Sequence, residues 1–240
     1  MPLDVPVMRV MGEVICRGYA RSARGVWRPH PAEVLDGAME KLDLRRASPE
    51  LYAPSAREFG VVEVPRFEFL AVDGSGDPNT SRDYADAVAS LYALSYAAKS
   101  ASKRMLARDY VVAPLEGLWL GDSPEPFVTG RRADWRWTML IRQPDWLTAE
   151  VRGEARAAAA KKAEVDGVRE EALAEGLSVQ ILHIGGYDDE APTIARLHDE
   201  FLPQKGYVEN GPHHEIYLSD PRRVAPEKLR TVLRQPVRTA

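Results

Sequence analysis

The chain has 240 residues, 45% of them apolar and 28% charged, which is the composition of a globular protein with ample material for a core. Its net charge of −4 gives no reason to expect a nucleic-acid partner, which wants a basic stripe; the pairs Arg131-Arg132 and Arg222-Arg223 read as solvated turn residues. No apolar run approaches the ~18 residues of a spanning helix, the first twenty residues lack a signal peptide's apolar stretch, and the lone Cys16 can form neither an intramolecular disulfide nor a thiolate cluster, so a reducing cytoplasm and no membrane are expected.

Residues 1–45 read as an N-terminal tail. Gly18 to Pro31 is dense in Arg, Gly and Pro, and only weak helical pattern follows over Pro31–Leu42. Met39 opens a segment that would serve equally well as a native start, so residues 1–38 read as an extension or as a mis-assigned start. A single domain is expected over 46–240.

Val62 to Val72 is rich in β-branched and aromatic residues and ends at the turn Asp73-Gly74-Ser75-Gly76. Thr80-Ser81 caps a helix that runs to about Met105, with Tyr84, Val88, Leu91, Tyr92, Ser95 and Tyr96 along one side. Asp109 to Leu120 is the next strand, disturbed by Pro114. Gly117 reads as a bulge that brings Trp119 into register with Tyr217. Trp135 to Ile141 closes the unit, with Trp135, Trp137 and Met139 on one face. Thr148 caps a linker helix over about 149–164, whose alanines are set to lie against the sheet.

The same order then recurs. Leu177 to Ile184 alternates as a strand, Gly185-Gly186-Tyr187 turns, and a helix from near Asp189 carries Ile194, Leu197, His198, Phe201 and Leu202 on one face. Gly206 stands where a helix ends in a left-handed residue. His213 to Leu218 and Lys228 to Arg234 complete it. Short phrases repeat as well. Glu116-Gly117-Leu118-Trp119-Leu120-Gly121-Asp122 is answered by Glu215-Ile216-Tyr217-Leu218-Ser219-Asp220, and Ile141-Arg142-Gln143-Pro144 by Leu233-Arg234-Gln235-Pro236. The expected fold class is α+β: two pseudo-twofold strand-helix-strand-strand repeats, about 61–144 and 177–236, forming antiparallel half-sheets with helices on one side and a ligand cleft between them.

Alternation puts His213, Glu215, Tyr217 and Ser219 on the cleft face and His214, Ile216 and Leu218 on the other. Matching positions in the repeats place Glu116 beside Glu215 in the cleft, each with an aromatic residue. A carboxyl in such apolar surroundings has a raised pKa, which suits acid–base work. Adjacent His213 and His214 point opposite ways, and against His183 and His198 there is no ligand spacing, so no metal site is expected. Gly74-Ser75-Gly76 and Gly185-Gly186 lack a phosphate-loop fingerprint, no nucleophile elbow occurs, and no cofactor is expected.

From about Leu42 to Val237 the chain resembles GyrI-like small-molecule-binding proteins. The phrases that carry the resemblance are 73–81 from Asp73, Pro114 to Trp119, Trp135-Arg136-Trp137-Thr138, Ile141 to Asp145, Gly176-Leu177-Ser178 and His213 to Arg223. In this wording the chain is most similar to the cyclopropanoid cyclopropyl hydrolases. It departs from the pattern in its tail and at Gly186, where a proline is expected before Tyr187. The resemblance implies a drug-sized cleft that takes flat, often cationic aromatic compounds, with Glu215 in the pocket. It also implies opening of the cyclopropane of yatakemycin-type DNA alkylators. On that reading Glu215, Glu116 and Tyr187 are catalytic; Trp119, Trp137, Tyr217, Tyr96 and His213 hold the ligand. A cage that only sequesters drugs stays open as an alternative. The effector domain of a transcription regulator fits less well, because the tail carries no helix-turn-helix pattern.

Overall fold

The computed structural model describes residues 41–120 and 135–240; the expected extension, Asp122 and Arg131-Arg132 lie outside the described residues. Two short helices, α1 (Leu44–Ala47) and α2 (Pro49–Tyr52), lead into β1 (Gly60–Val64) and β2 (Phe67–Ser75). Then come the long helix α3 (Arg82–Leu106), β3 (Leu115–Leu120), β4 (Arg136–Gln143) and α4 (Ala149–Ala159). The second half holds β5 (Arg169–Leu173), β6 (Gly176–Ile184), α5 (Ala191–Ala195), a π turn at Arg196–Phe201, α6 (Leu202–Lys205), β7 (Tyr207–Glu209), β8 (His213–Tyr217) and β9 (Arg230–Thr239). The fold is α+β.

The main sheet is antiparallel throughout and runs β1-β6-β9-β8-β3-β4-β2-β5, with β7 attached to β9. Its two central strands, β3 and β8, come one from each repeat. β1 and β2 stand six places apart in this order, about 29 Å across a flat sheet. Only Pro65 and Arg66 join them, and that link spans about 11 Å at most. The sheet must therefore curl until its two ends meet, and the same holds for the short link from β5 to β6. Pro65, which lacks an N–H, falls in the gap where the chain leaves one ladder for the other. The sequence reading of one strand across this point is corrected to two, and β5 is a strand it did not foresee.

The long helix α3 and the second helical stretch cover one face, and the short α2 lies against the other. Ser81 accepts a hydrogen bond from the Tyr84 N–H at 3.3 Å and starts α3, which buries Tyr84, Val88, Leu91, Ala98 and Ala101 at helical spacing. Thr148 caps α4 in the same way. The alanines of α4 meet a different partner from the one expected: Val151, Ala155 and Ala159 are buried chiefly against α3, where Ala98 and Ala101 allow close approach. Leu197 and Leu202 pin the second helical stretch to Val179 and Val237. The expected tail ends earlier than residue 45, since Leu42 bridges to Tyr110 and Leu44 is buried.

The repeat is real, with a register one residue away from the expected one. Arg142 and Arg234 are equivalent, and so are Ile141 and Leu233 before them. Leu115 faces Ile141 and Glu215 faces Leu233, so the counterpart of Glu215 is Leu115 and that of Tyr217 is Gly117. The pseudo-twofold passes through the opposed pair Glu116 and Ile216. Pairing runs unbroken along both sides of β3, so Gly117 is not a bulge and Trp119 does not match Tyr217. The bulge was inferred by aligning Glu116 with Glu215; the apolar pattern of the ladder decides otherwise.

Candidate functional site

The candidate site lies on the face that α3 covers, above β3 and β8, where side chains from α3 and from the turn before α5 converge on Glu215 and Tyr217. Alternation sends Gly117, Trp119, His213, Glu215 and Tyr217 to this face. The Tyr217 hydroxyl donates to Glu215 Oε2 at 2.8 Å. Gly117 makes that geometry available: a Cβ there would lie 3.1 Å from the Tyr217 hydroxyl and 2.7 Å from Met139 Cε. Tyr187 packs edge-on to Tyr217 at 5.7 Å between ring centres, and Trp119 edge-on to Trp135 at 5.3 Å. From α3, Tyr84 and Tyr92 close the side, and Tyr96 stacks on Tyr92 at 6.2 Å.

Burial pushes the Glu215 carboxyl up; the Tyr217 hydroxyl, the Trp119 indole and the charge of His214 pull it back, leaving it at about 7. The Trp119 N–H is aimed at this carboxyl but falls short of a full hydrogen bond. His213, 3.8 Å from Glu215 Oε1, is pressed down to about 3 by burial and by the charges of His198 and His214, so it is neutral here. Burial likewise raises the tyrosine hydroxyls of Tyr84, Tyr187 and Tyr217 well above their ordinary value. They act as neutral hydrogen-bond donors.

Of the residues expected in the site, Glu215, Tyr217, Trp119, His213 and Tyr187 come together. Tyr96 is 45% exposed and stands at the rim. Trp137 lies underneath: it is 1% exposed, sits against Gly74 where a Cβ would overlap its ring, meets Tyr84 edge-on, and donates its N–H to the Gly76 carbonyl. It supports the wall rather than offering a face. Glu116 is on the opposite face of the sheet, because it is one residue out of phase with Gly117. There His214 Nε2 is 3.0 Å from its Oε2, and the Tyr52 hydroxyl donates to its Oε1 at 3.4 Å.

That opposite face holds a buried polar network. His214 also meets Glu175 Oε1 at 2.9 Å, and Arg234 binds Glu175, Gln180 and the Leu51 carbonyl at 3.0, 3.0 and 2.9 Å. Its twofold mate Arg142 donates to the Tyr52 hydroxyl and lies over the Phe67 ring. Burial alone would push His214 down, but Glu175 and Glu116 outweigh it and hold it at about 9. Burial would raise Glu175, yet His214 and Arg234 hold it at about 2. These charges compensate one another, so the network fastens α2 to the sheet.

The second carboxyl of the cleft is Glu190, which the sequence reading did not single out. It directly precedes α5, is 4% exposed, and leaves Oε1 without a hydrogen-bond partner. Burial, then the charge of Glu215, raise it to about 10, against a pull from Thr231. In sequence it reads as one more acid in Asp188-Asp189-Glu190, the ordinary signature of a helix start. Among the described residues no group of His, Cys, Asp and Glu is arranged to hold a metal ion, and no helix is long and apolar enough to cross a membrane.

The profile of the GyrI-like small molecule binding domain matches residues 57–238. Among solved structures, an uncharacterized conserved protein from Listeria innocua is 40% identical, covering 82% of this chain and 100% of its own, with a TM-score of 0.75. A hydrolase from the same organism is 38% identical over 83% of this chain and 100% of its own, with a TM-score of 0.74. EcmrR, in a complex with DNA, shares the fold alone at 12% identity, with 82% and 65% covered and a TM-score of 0.51. No curated protein matches the chain.

Proposed function

The chain belongs to the GyrI-like small-molecule-binding family, and from that premise we propose that it hydrolyses the strained cyclopropane of flat aromatic DNA alkylators of the yatakemycin type. The support for hydrolysis is the likeness to the Listeria hydrolase. The observation that carries the reading is Glu215, a buried carboxyl brought to about 7 within a ring of aromatic side chains. A base works best with a pKa near the operating pH.

In this reading the ligand stacks on Trp119, Tyr187 and Tyr217, with Tyr92 and Tyr96 at the mouth. Stacking excludes water except beside Glu215. The carboxylate takes a proton from a water molecule, and the oxygen of that water bonds to a cyclopropane carbon. The broken ring bond releases its electron pair to the conjugated carbonyl oxygen, to which the Tyr187 hydroxyl can donate a hydrogen bond. Ring strain supplies much of the driving force. Opening the ring removes the electrophile, so the cell's DNA is spared. Tyr217 holds the carboxylate in place, and Trp137 keeps the wall beneath it rigid.

Incubation with a spirocyclopropane alkylator, followed by mass spectrometry, should show product heavier by one water. Glu215→Gln keeps the shape and removes the base, so turnover should fall by ~10²–10⁴-fold with ligand affinity little changed. Trp119→Ala should instead weaken binding by about 1–3 kcal/mol. Turnover by Glu215→Gln at the parent rate would refute the assignment. Sequestration is the second reading, favoured by the small-molecule-binding profile itself; it predicts tight binding with the alkylator recovered intact from the parent protein.

A further inference from the structure

We propose that Glu190 is the proton donor of the same site, a neutral carboxylic acid that delivers its proton to the oxygen on which charge develops as the ring opens. The inference rests on the hydrolase reading above and adds the residue that reading lacks.

The placement is built into the backbone. The Gly185-Gly186 turn leads into a 3₁₀ turn at Tyr187–Asp189, and the Glu190 N–H donates to the Tyr187 carbonyl at 3.3 Å. The Glu190 carbonyl accepts from Thr193 and Ile194 at 2.9 and 3.0 Å. The residue that starts α5 is therefore fixed at both ends, three residues from the ring that packs on Tyr217. Its side chain points inward, away from water, although a glutamate preceding a helix ordinarily faces solvent. The Oε1 atom has no partner there.

The neighbours make an ionised Glu190 costly. Glu215 faces it from β8, Thr231 from β9, and Tyr187 and Asp188 from its own turn; Tyr84, Tyr92 and Tyr217 surround Glu215 and Tyr187 in the same site, and Asp220 adds its negative charge near Tyr187. None of these is a cation. His183, on β6 opposite Thr231, is engaged with the Gly186 carbonyl at 3.2 Å. Two buried carboxyls that feel one another resist ionising together, so between about pH 7 and about pH 10 the pair holds one proton, and the more deeply raised member keeps it. Glu215 is free to act as base, and Glu190 as acid.

The reaction then balances. Water gives a proton to Glu215 and its oxygen to carbon. The carbon–carbon pair moves through the conjugated system to oxygen, and that oxygen takes the proton of Glu190. One water is added, and the pair still carries one proton, now on Glu215. Its return to Glu190 readies the site for the next substrate, with no oxidant, metal or co-reactant.

Glu190→Gln tests this. With the spirocyclopropane alkylator, kcat should fall by ~10²–10⁴-fold with KM little changed, and the fall in the parent's kcat at high pH should disappear. Glu190→Asp should recover part of the rate. Independently of turnover, infrared spectra of the ¹³C-glutamate-labelled protein at about pH 8.5, above the value of about 7 for Glu215 and below that of about 10 for Glu190, should show a protonated-carboxyl carbonyl band in the parent and in Glu215→Gln, and none in Glu190→Gln. A kcat and pH profile unchanged in Glu190→Gln, or a band that survives in it, would overturn the inference. A parent without turnover whose band vanishes in Glu190→Gln would instead sink the hydrolase reading and leave the held proton standing.

Discussion

His214 lies directly behind the site, on the strand between His213 and Glu215, yet it belongs to the other face. It is fully buried between Glu116 and Glu175 and is held at about 9 against an ordinary 6.5. Each pKa unit is worth about 1.4 kcal/mol, so a difference of roughly 2.5 units makes the imidazolium contribute about 3 kcal/mol to stability. The sign follows from the direction of the shift. The folded state binds this proton more tightly, so the contribution is complete below about 6.5 and is lost as pH rises through about 9. Replacement by a neutral side chain of similar reach, His214→Gln, removes the proton and leaves two buried carboxylates short of a partner, a change that costs about 3–5 kcal/mol in comparable sites. Urea unfolding at pH 6, 7.5 and 9 measures it. The parent should exceed the variant by about 3 kcal/mol or more at pH 6, and the gap should close towards pH 9. Glu190 titrates in both proteins and cancels in the difference. A gap that is equal at pH 6 and pH 9, or below about 1 kcal/mol at pH 6, would show that His214 is not a charged partner in the network.

Gly117→Ala should displace the Tyr217 hydroxyl from Glu215, because Met139 Cε can move aside but the new Cβ is only 3.1 Å from that hydroxyl; a stability loss of about 1–3 kcal/mol with a drop in turnover is expected by urea unfolding and product assay. A chain beginning at Met39 should melt within a few degrees of the parent, since α1 and α2 are retained. One beginning at Ala53 should lose far more, because it sheds Leu51 and Tyr52, which cap the core and the network; calorimetry distinguishes the two.

Much of this was legible in the sequence. The alternation of His213 to Leu218 assigns both faces of β8 correctly, and the two Arg-Gln-Pro phrases mark equivalent strands. Phrase matching failed at the pair that mattered most for mechanism. Glu116 and Glu215 look alike in their local wording, but only the pairing with Ile141 and Leu233 fixes the register, and a slip of one residue sends a side chain through the sheet. Glu190 was hidden for another reason. An acid at a helix start has a sufficient local explanation, and its burial depends on β8 and β9, strands more than twenty residues away. The exchange of β1 and β5 was illegible because it depends on curl, which has no periodicity.

That exchange bears on how the chain assembles. The strand that opens each repeat is hydrogen-bonded to the first strand of the other, so β1 completes the sheet of the second half and β5 that of the first. Neither half owns a finished sheet. A half on its own would present its outer ladder bare, as a template for any passing strand. The pairing of residues 60–64 with 176–180 closes a loop of more than a hundred residues, an entropic cost met before the contact rewards it. Such a topology argues for slow folding that needs both halves present.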